Sequence, residues 1–108
     1  MAGTNAEVKV VPVETTGAPA LGIEASWLDS QFVMIILNKG IVACGVIDMA
    51  VMERAGAAIA IIRGTPEKQL IVVDDLLSAK IQEVTKAAGA HGVKVGMTGS
   101  EAVDILSS

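Results

Sequence analysis

Short apolar runs separated by polar turns fill residues 21–46, and this pattern constrains the fold more than any other feature. Residues 21–28 alternate in a period of two, which indicates a strand with two different faces. Residues 32–37 are almost wholly apolar, which predicts a strand buried on both faces. The turn at 38–40 ends in Gly40, and residues 41–46 then return as a further strand. The sequence therefore predicts an antiparallel β-meander.

The remaining chain mixes strand and helix signals. A Val-rich strand is expected at 7–13, at a sheet edge because it contains Pro12. A short helix over 49–55 begins after Asp48 and ends at Gly56, and a strand follows at 57–62. Short strands at 70–73 and 93–95, a helix over 74–90 that breaks near Ser78, and a closing helix over 100–106 complete the prediction.

These elements predict one α+β domain spanning residues 1–108, with residues 1–5 frayed. The β-meander continues into a mixed sheet, and about three helices pack on one face of that sheet. No repeat, linker or low-complexity tract divides the chain.

Aliphatic side chains must build the core, because apolar residues make up 52% of the chain and aromatic residues only 2%. The mean hydropathy of +0.60 is high for so small a domain, whose surface is large relative to its volume. Part of the apolar area is therefore expected in a subunit interface, in a homodimer or a homotrimer.

Charge and targeting signals narrow the protein class. The net charge of −4 argues against nucleic acid, whose binding depends on Lys and Arg beside phosphates. No apolar run approaches the ~20 residues that cross a bilayer. The first residues lack the pattern of a signal peptide, and a single Cys excludes an internal disulfide framework. We therefore expect a cytoplasmic protein without a membrane partner.

Cys44 and Asp48 are the candidate catalytic residues. A nucleophilic thiol needs a base or a helix N-terminus beside it, and Asp48 stands four residues away. The alternative, which residue tendencies favour, is a buried structural Cys44 and an Asp48 that caps the helix. Asp74 and Asp75 are adjacent carboxylates that we interpret as helix-start residues in the same way.

The segment 94–101 is the candidate ligand site. Glycine amides and a helix N-terminus can bind a small anion, and the residues involved would be Lys94, Gly96, Thr98, Gly99 and Ser100. The alternative is a capping box, in which Thr98 and Glu101 use those amides themselves. No metal-ligand spacing and no cofactor motif is present in the sequence, so no metal and no cofactor is expected.

Several segments together carry a family resemblance. They are Lys39–Asp48 with its Cys-Gly-x-x-Asp order, residues 74–77, residues 81–85, and residues 91–102 with Gly-Met-x-Gly-x-Glu-Ala. Over about residues 21–106 the chain resembles the YunC-like family of small bacterial and archaeal proteins, domain of unknown function 1805. It departs from the family pattern at Ala43, where Met is usual, and at 57–59, where an Arg is often found. The resemblance implies an α+β fold and an oligomer, and it implies no reaction.

Three functional hypotheses follow. The first, which we prefer, is a small oligomeric domain with a non-catalytic or regulatory role. The second is a small-molecule or anion-binding module that uses the 96–100 loop and Lys94. The third is an enzyme centred on Cys44 and Asp48.

Overall fold

A computed structural model describes residues 6–108, so the predicted fraying of residues 1–5 lies outside the described part. One six-stranded sheet organises the chain, and its strands lie in sequence order from β1 to β6. The strands are β1 (Glu7–Val13), β2 (Ala20–Trp27), β3 (Ser30–Ile36), β4 (Ile41–Cys44), β5 (Ile59–Ile62) and β6 (Glu83–Val84). The helices are α1 (Met49–Ala55), α2 (Val73–Ser78), α3 (Lys86–Ala90) and α4 (Gly99–Ser107).

The strand pairings confirm the predicted α+β fold with a mixed sheet. Strands β1 to β4 form an antiparallel meander, and β1 lies at the edge, as Pro12 predicts. Strand β5 pairs in parallel with β4 after the α1 crossover, and β6 pairs in antiparallel fashion with β5. The helix α1 is also confirmed, because Asp48 caps its first amides and Gly56 ends it in the left-handed conformation at φ 73°.

The helices lie on both faces of the sheet, which corrects the prediction of about three helices on one face. Helices α2, α3 and α4 pack over one face of the sheet, which we call the covered face. The core there includes Val33, Ile35 and Val42. Helix α1 lies on the opposite face, where Met49 and Met52 pack against Ile59, Ile61 and neighbouring side chains. The crossover between parallel strands must place its helix on one face, and the remaining helices fill the other.

The predicted helix over 74–90 is wrong in its middle. Helix α2 ends at Ser78, the chain passes through β6, and α3 begins only after Thr85. The buried Thr85 hydroxyl donates to the Ala57 carbonyl at 2.7 Å and accepts from the amides of Ile59 and Ala88 at 3.0 and 3.3 Å. This one side chain caps α3 and fixes the start of β5, which the apolar periodicity alone could not indicate. Residues 70–73 and 93–95 form no strand.

Close contacts at two glycines position α2 and α4 on the covered face. A side chain at Gly22 would meet the Val73 side chain, so β2 and α2 approach closely there. A side chain at Gly99 would overlap the Leu76 carbonyl oxygen, so the start of α4 lies directly against α2. Glycine is needed at both positions because any side chain would overlap the neighbouring helix.

We predict that Gly99→Ala destabilises the protein by about 1–3 kcal/mol, because the new methyl group can only be accommodated by moving backbone. The matched control is Gly89→Ala within α3, where an added methyl group meets no atom within 4 Å. Alanine in a helix interior gives a free energy of unfolding higher than glycine does by roughly 0.5–1 kcal/mol, so this variant should be as stable as the wild type or more stable. Urea unfolding of the three proteins measures both effects, and an unchanged Gly99→Ala variant would contradict the predicted close contact.

Candidate functional site

On the side of the sheet away from α2 and α4, no helix among residues 6–108 covers β1, β2 and β3, and we call this surface the open face. Side chains paired across antiparallel strands share a face, so the strand register defines its members. They form three rows across the strands, and they are Val8, Ala25 and Phe32, then Val10, Ile23 and Met34, then Pro12, Leu21 and Ile36, with Trp27 and Ser30 at the hairpin end.

The open face is apolar and carries no charged side chain among these eleven residues. Val8, Val10, Leu21, Trp27 and Ile36 are each exposed, from 38% for Ile36 to 66% for Val8. The charged residues of the same strands lie on the covered face, where Lys9 and Glu24 are neighbours in the strand register. A sheet with one solvated face normally carries polar side chains on that face, so this surface has the composition of an interface.

The alternation in β3 corrects a prediction. Val33, Ile35 and Leu37 are buried, whereas Phe32 and Met34 are half-buried and Ile36 is exposed. The segment 32–37 is therefore buried on the covered face alone, although its sequence predicts burial on both faces. Both faces of this segment are apolar, as predicted. On the second face Met34 packs at the edge of the cluster under α1, and no helix among residues 6–108 covers the rest.

The hairpin between β2 and β3 extends the open face. Trp27 contacts Phe32 edge to face, with ring centroids 6.0 Å apart. Leu28 follows with φ at +48° and is exposed. A bulky side chain in the left-handed region is unusual, and such strained positions concentrate at functional sites. The hairpin end thus presents two large apolar side chains beside the face.

Cys44 lies at the carboxyl end of β4, next to Ile62 of the parallel strand β5. Its side chain is half-buried, which corrects the expectation of a fully buried cysteine. It lines an open cavity of about 350 Å³, together with Gln31 and residues of the loop after β5, namely Gly64, Thr65, Pro66, Gln69 and Leu70. Sequence reasoning missed both parts of this wall, because they come from neighbouring strands. Gln31 belongs to β3, which pairs with β4, and the loop follows β5, which pairs with β4 on its other side.

Among residues 6–108, no side chain that could act as a base lines the cavity beside Cys44. The Asp48 carboxylate accepts from the amides of Ala50 and Val51 at 3.0 and 3.3 Å, so it acts as the cap of α1. Arg63, which follows β5 at the start of the adjoining loop, pairs with Glu83 at 2.7 Å. His91 lies at the end of α3, and it is not among the residues that line the cavity. Residues 6–108 hold no cluster of three or more metal-ligating side chains.

The 94–101 segment forms the capping box. The Glu101 amide donates to the Thr98 hydroxyl at 3.2 Å, and the Thr98 amide donates to the Glu101 carboxylate at 3.0 Å. The Gly99 amide donates to the Ala79 carbonyl at 2.8 Å. The Gly96 amide likewise donates to Ile81 at 2.9 Å. Of the candidate residues, Lys94, Gly96 and Ser100 are exposed. The amides of Gly96, Thr98 and Gly99 already have partners, and the Glu101 carboxylate lies among them.

Carboxylates near the start of α2 accept hydrogen bonds from backbone amides. Asp75 accepts from the amides of Val72 and Ile71, and these bonds hold the pKa of its carboxyl below the ordinary value. Glu24, from β2, accepts from the Val73 amide at 2.8 Å. Glu24, Glu14 and Asp74 line an open cavity of about 340 Å³ between β1 and α2. Asp75 therefore stabilises the start of α2, as the sequence predicts, and Glu24 of β2 accepts from the first amide of that helix.

Thr98→Ala should destabilise the fold by roughly 0.5–2 kcal/mol, the usual loss for an N-cap. Glu101→Gln should cost less, since an amide oxygen can still accept from Thr98. Phosphate should leave the unfolding temperature of both the wild type and Glu101→Gln unchanged. A phosphate-dependent rise that is larger in Glu101→Gln would instead support the anion-binding hypothesis.

The Cys44 thiol should react with a small neutral maleimide in the native protein, more slowly than in urea, because it is half-buried at a cavity wall. Labelling followed by mass spectrometry measures both rates. A native protein that stays unlabelled until it unfolds would show that the cavity gives no access to the thiol. A native rate above the unfolded rate would indicate an activated cysteine.

Comparison with known proteins places this geometry in context. No helix among residues 6–108 has the length and apolar content needed to cross a bilayer.

The protein described as "Uncharacterized protein YunC" from Bacillus subtilis is 29% identical over 96 residues, which cover 89% of this chain and 94% of that protein.

A crystal structure of a protein of unknown function, TA1206 from Thermoplasma acidophilum, shares the fold with a TM-score of 0.83. The match covers 94% of this chain and 95% of that one at 22% identity. The sequence model of a protein family described as a domain of unknown function (DUF1805) matches residues 43–106, from the end of β4 to α4. The chain belongs to the DUF1805 family.

Proposed function

We propose that this chain is a non-catalytic domain that associates with a second copy of itself through the open face. The observation that carries the proposal is the uninterrupted apolar surface of three strands without a charged side chain. Depletion of charge at the centre is what distinguishes protein interfaces from ordinary surface. A two-fold interface uses the same patch on both subunits, and an uncharged apolar patch is complementary to itself.

The size of the open face suits a dimer. Its five exposed large side chains leave on the order of 500 Å² of apolar surface in water, judged from their exposed fractions and typical side-chain areas. The half-buried Ile23, Phe32 and Met34 add to that area. A standard interface buries about 800 Å² on each partner, including its polar rim. A homodimer therefore fits better than a homotrimer, in which each subunit would need two such patches.

A second copy suits this surface better than a membrane or an unrelated acidic partner. Binding to anionic lipid needs Lys and Arg around an apolar patch, and the net charge here is −4. Among the strands of the open face, Lys9 is the one basic residue, and it lies on the opposite side of β1. Uncharged lipid vesicles provide the direct comparison in the test below.

The two alternative functions have less support. An anion-binding module at 96–100 would have to displace the Glu101 carboxylate from the amide and hydroxyl of Thr98. An enzyme centred on Cys44 would need a base, and the Asp48 carboxylate is engaged with the α1 amides. A non-catalytic role requires neither group to change its partners. In such a role, assembly itself is the property that a cell could regulate.

We expect the wild type to sediment as a dimer at micromolar concentration and Val10→Asp to sediment as a monomer. Burying an unpaired carboxylate in an apolar interface costs several kcal/mol, enough to lower the association constant at least a hundredfold. Val95→Asp is the matched control, because Val95 has the same side chain and the same 61% exposure but lies between α3 and α4. The control should stay dimeric.

Far-UV circular dichroism of each variant separates loss of assembly from loss of fold, and Leu21→Glu provides a second charge in case Val10→Asp does not fold. A monomeric wild type would refute the proposal, as would a Val10→Asp dimer as tight as the wild type. Flotation of wild-type protein with neutral vesicles, abolished by Val10→Asp, would assign the open face to a membrane instead.

A further inference from the structure

The cavity beside Cys44 lies at the carboxyl ends of two parallel strands. Within residues 6–108, β4 and β5 are the one parallel pair of the sheet. Strand β4 ends at Cys44, and β5 leads into the loop that forms another wall of the cavity. In open α/β sheets, ligands bind in the crevice outside the carboxyl ends of parallel strands. The cavity volume of about 350 Å³ also lies within the ~300–1,000 Å³ typical of small-molecule sites, so both its place and its size suit a ligand.

No charged side chain among residues 6–108 lines this cavity. Its polar lining consists of the Cys44 thiol, the Thr65 hydroxyl and two glutamine side chains, Gln31 and Gln69. A charged ligand would have no opposite charge beside it, and desolvating an unpaired charge costs free energy. The net charge of −4 adds repulsion against any anion. We therefore expect a ligand of this cavity to be neutral and to carry hydrogen-bonding groups.

The strand register places Gln31 near Cys44. Val33 and Cys44 both contact the core of the covered face, and extending the pairing of β3 with β4 by one residue sets them opposite each other. Gln31 precedes Val33 by two residues, so it lies on the same face, nearer the hairpin between β2 and β3. Diagonal neighbours of this kind are about 7–8 Å apart. A ligand of a few non-hydrogen atoms can therefore contact the carboxamide and the thiol together.

The two glutamine side chains supply the recognition chemistry. Gln31 is half-buried and Gln69 is exposed, and in the described part of the chain neither side chain has a hydrogen-bond partner. By contrast, Gln82 outside the cavity donates to the Arg63 carbonyl at 3.4 Å. A carboxamide presents an acceptor oxygen and a donor nitrogen side by side, so a group with the same pair can form two hydrogen bonds with it at once.

A primary carboxamide matches this pair of glutamines better than a cyclic amide. It carries one oxygen and two N–H donors. It can therefore form two hydrogen bonds with one glutamine and donate a third to the other. A cyclic amide has a single N–H and can pair in this way with only one of them.

The loop after β5 holds its wall of the cavity in place before any ligand binds. Thr65 and Lys68 exchange backbone hydrogen bonds at 3.0 and 3.1 Å, and the Thr65 hydroxyl also accepts from the Lys68 amide at 3.0 Å. Leu70 is buried in the core of the covered face. Beyond it, the Ile71 amide donates to the Asp75 carboxylate at 2.9 Å. A wall that is already ordered lowers the entropy cost of binding.

We propose that this cavity binds a small neutral molecule through a primary carboxamide, which pairs with the side chains of Gln31 and Gln69. Cys44 forms the wall beside the bound amide and takes no part as a nucleophile, since no base lines the cavity among residues 6–108. The site lies on the covered face and involves no residue of the open face, so it is independent of the proposed self-association.

Alkylation of Cys44 reports on the cavity, because Cys44 is the single cysteine of the chain and forms part of the wall. Iodoacetamide carries the primary carboxamide, and 2-iodo-N,N-dimethylacetamide has the same carbonyl without an N–H donor. Iodoacetate replaces the amide with a carboxylate. In each reaction the sulfur displaces iodide, and the thiol proton goes to the solvent. Dividing the native rate by the rate in urea removes the intrinsic reactivity of each reagent.

We expect this native-to-unfolded ratio to be about threefold to tenfold higher for iodoacetamide than for the dimethyl reagent, the factor that one ordinary hydrogen bond supplies. The ratio for iodoacetate should be lower than that for iodoacetamide. Gln31→Leu and Gln69→Leu should each reduce the preference for iodoacetamide, and the double variant should abolish it. Gln82→Leu is the matched control, because Gln82 does not line the cavity, and it should keep the wild-type preference.

The wild type alone can overturn the proposal, so the test does not depend on the folding of a variant. Equal ratios for iodoacetamide and the dimethyl reagent would refute recognition of the carboxamide. A higher ratio for iodoacetate would assign the cavity to anions, and a native thiol that reacts with none of the reagents would show that no ligand enters. A preference that survives in a folded double variant, as judged by far-UV circular dichroism, would exclude the two glutamines as its cause. A preference lost in the double variant and kept in Gln82→Leu supports the site.

Discussion

Burial of β5 on both faces is the constraint on which the rest of the structure depends. Its four residues are all buried, with Ala60 and Ile62 in the main core and Ile59 and Ile61 in the smaller cluster under α1. A strand of this kind needs a layer of structure above and below it. The chain provides α1 on one side and α2, α3 and α4 on the other. Because α1 has only seven residues, it covers β4 and β5 and leaves the open face of β1, β2 and β3 uncovered.

The sequence predicts those parts of the fold whose signals are local. Pro12 places β1 at the edge, Asp48 and Gly56 bound α1 correctly, and the Thr98 and Glu101 spacing predicts the start of α4. Each of these depends on a side chain that acts within a few residues of itself. The order of the meander strands belongs to the same group, because short turns leave neighbouring strands little choice but to pair.

Features that depend on distant partners could not be predicted. The apolar spacing over 74–90 suggests one helix, but Thr85 finds its acceptor and donors at Ala57 and Ile59, and the chain there pairs with β5 instead. The cavity beside Cys44 needs the loop after β5, which is remote in sequence. The run 32–37 could not be interpreted fully for a different reason. An apolar pattern indicates that both faces of a strand avoid water, but it does not indicate whether the same chain or another one covers them.

The single tryptophan makes the open face observable without any label. The chain contains one Trp and no Tyr, and Trp27 lies at the hairpin end of the open face in contact with Phe32. Almost all of the near-ultraviolet emission of the protein therefore comes from one ring that is 44% exposed in the isolated subunit. The wavelength of that emission depends on how much water surrounds the indole. Dissociation of the proposed assembly on dilution would therefore give an optical signal from this one surface, while the cores on either side of β5 would contribute none.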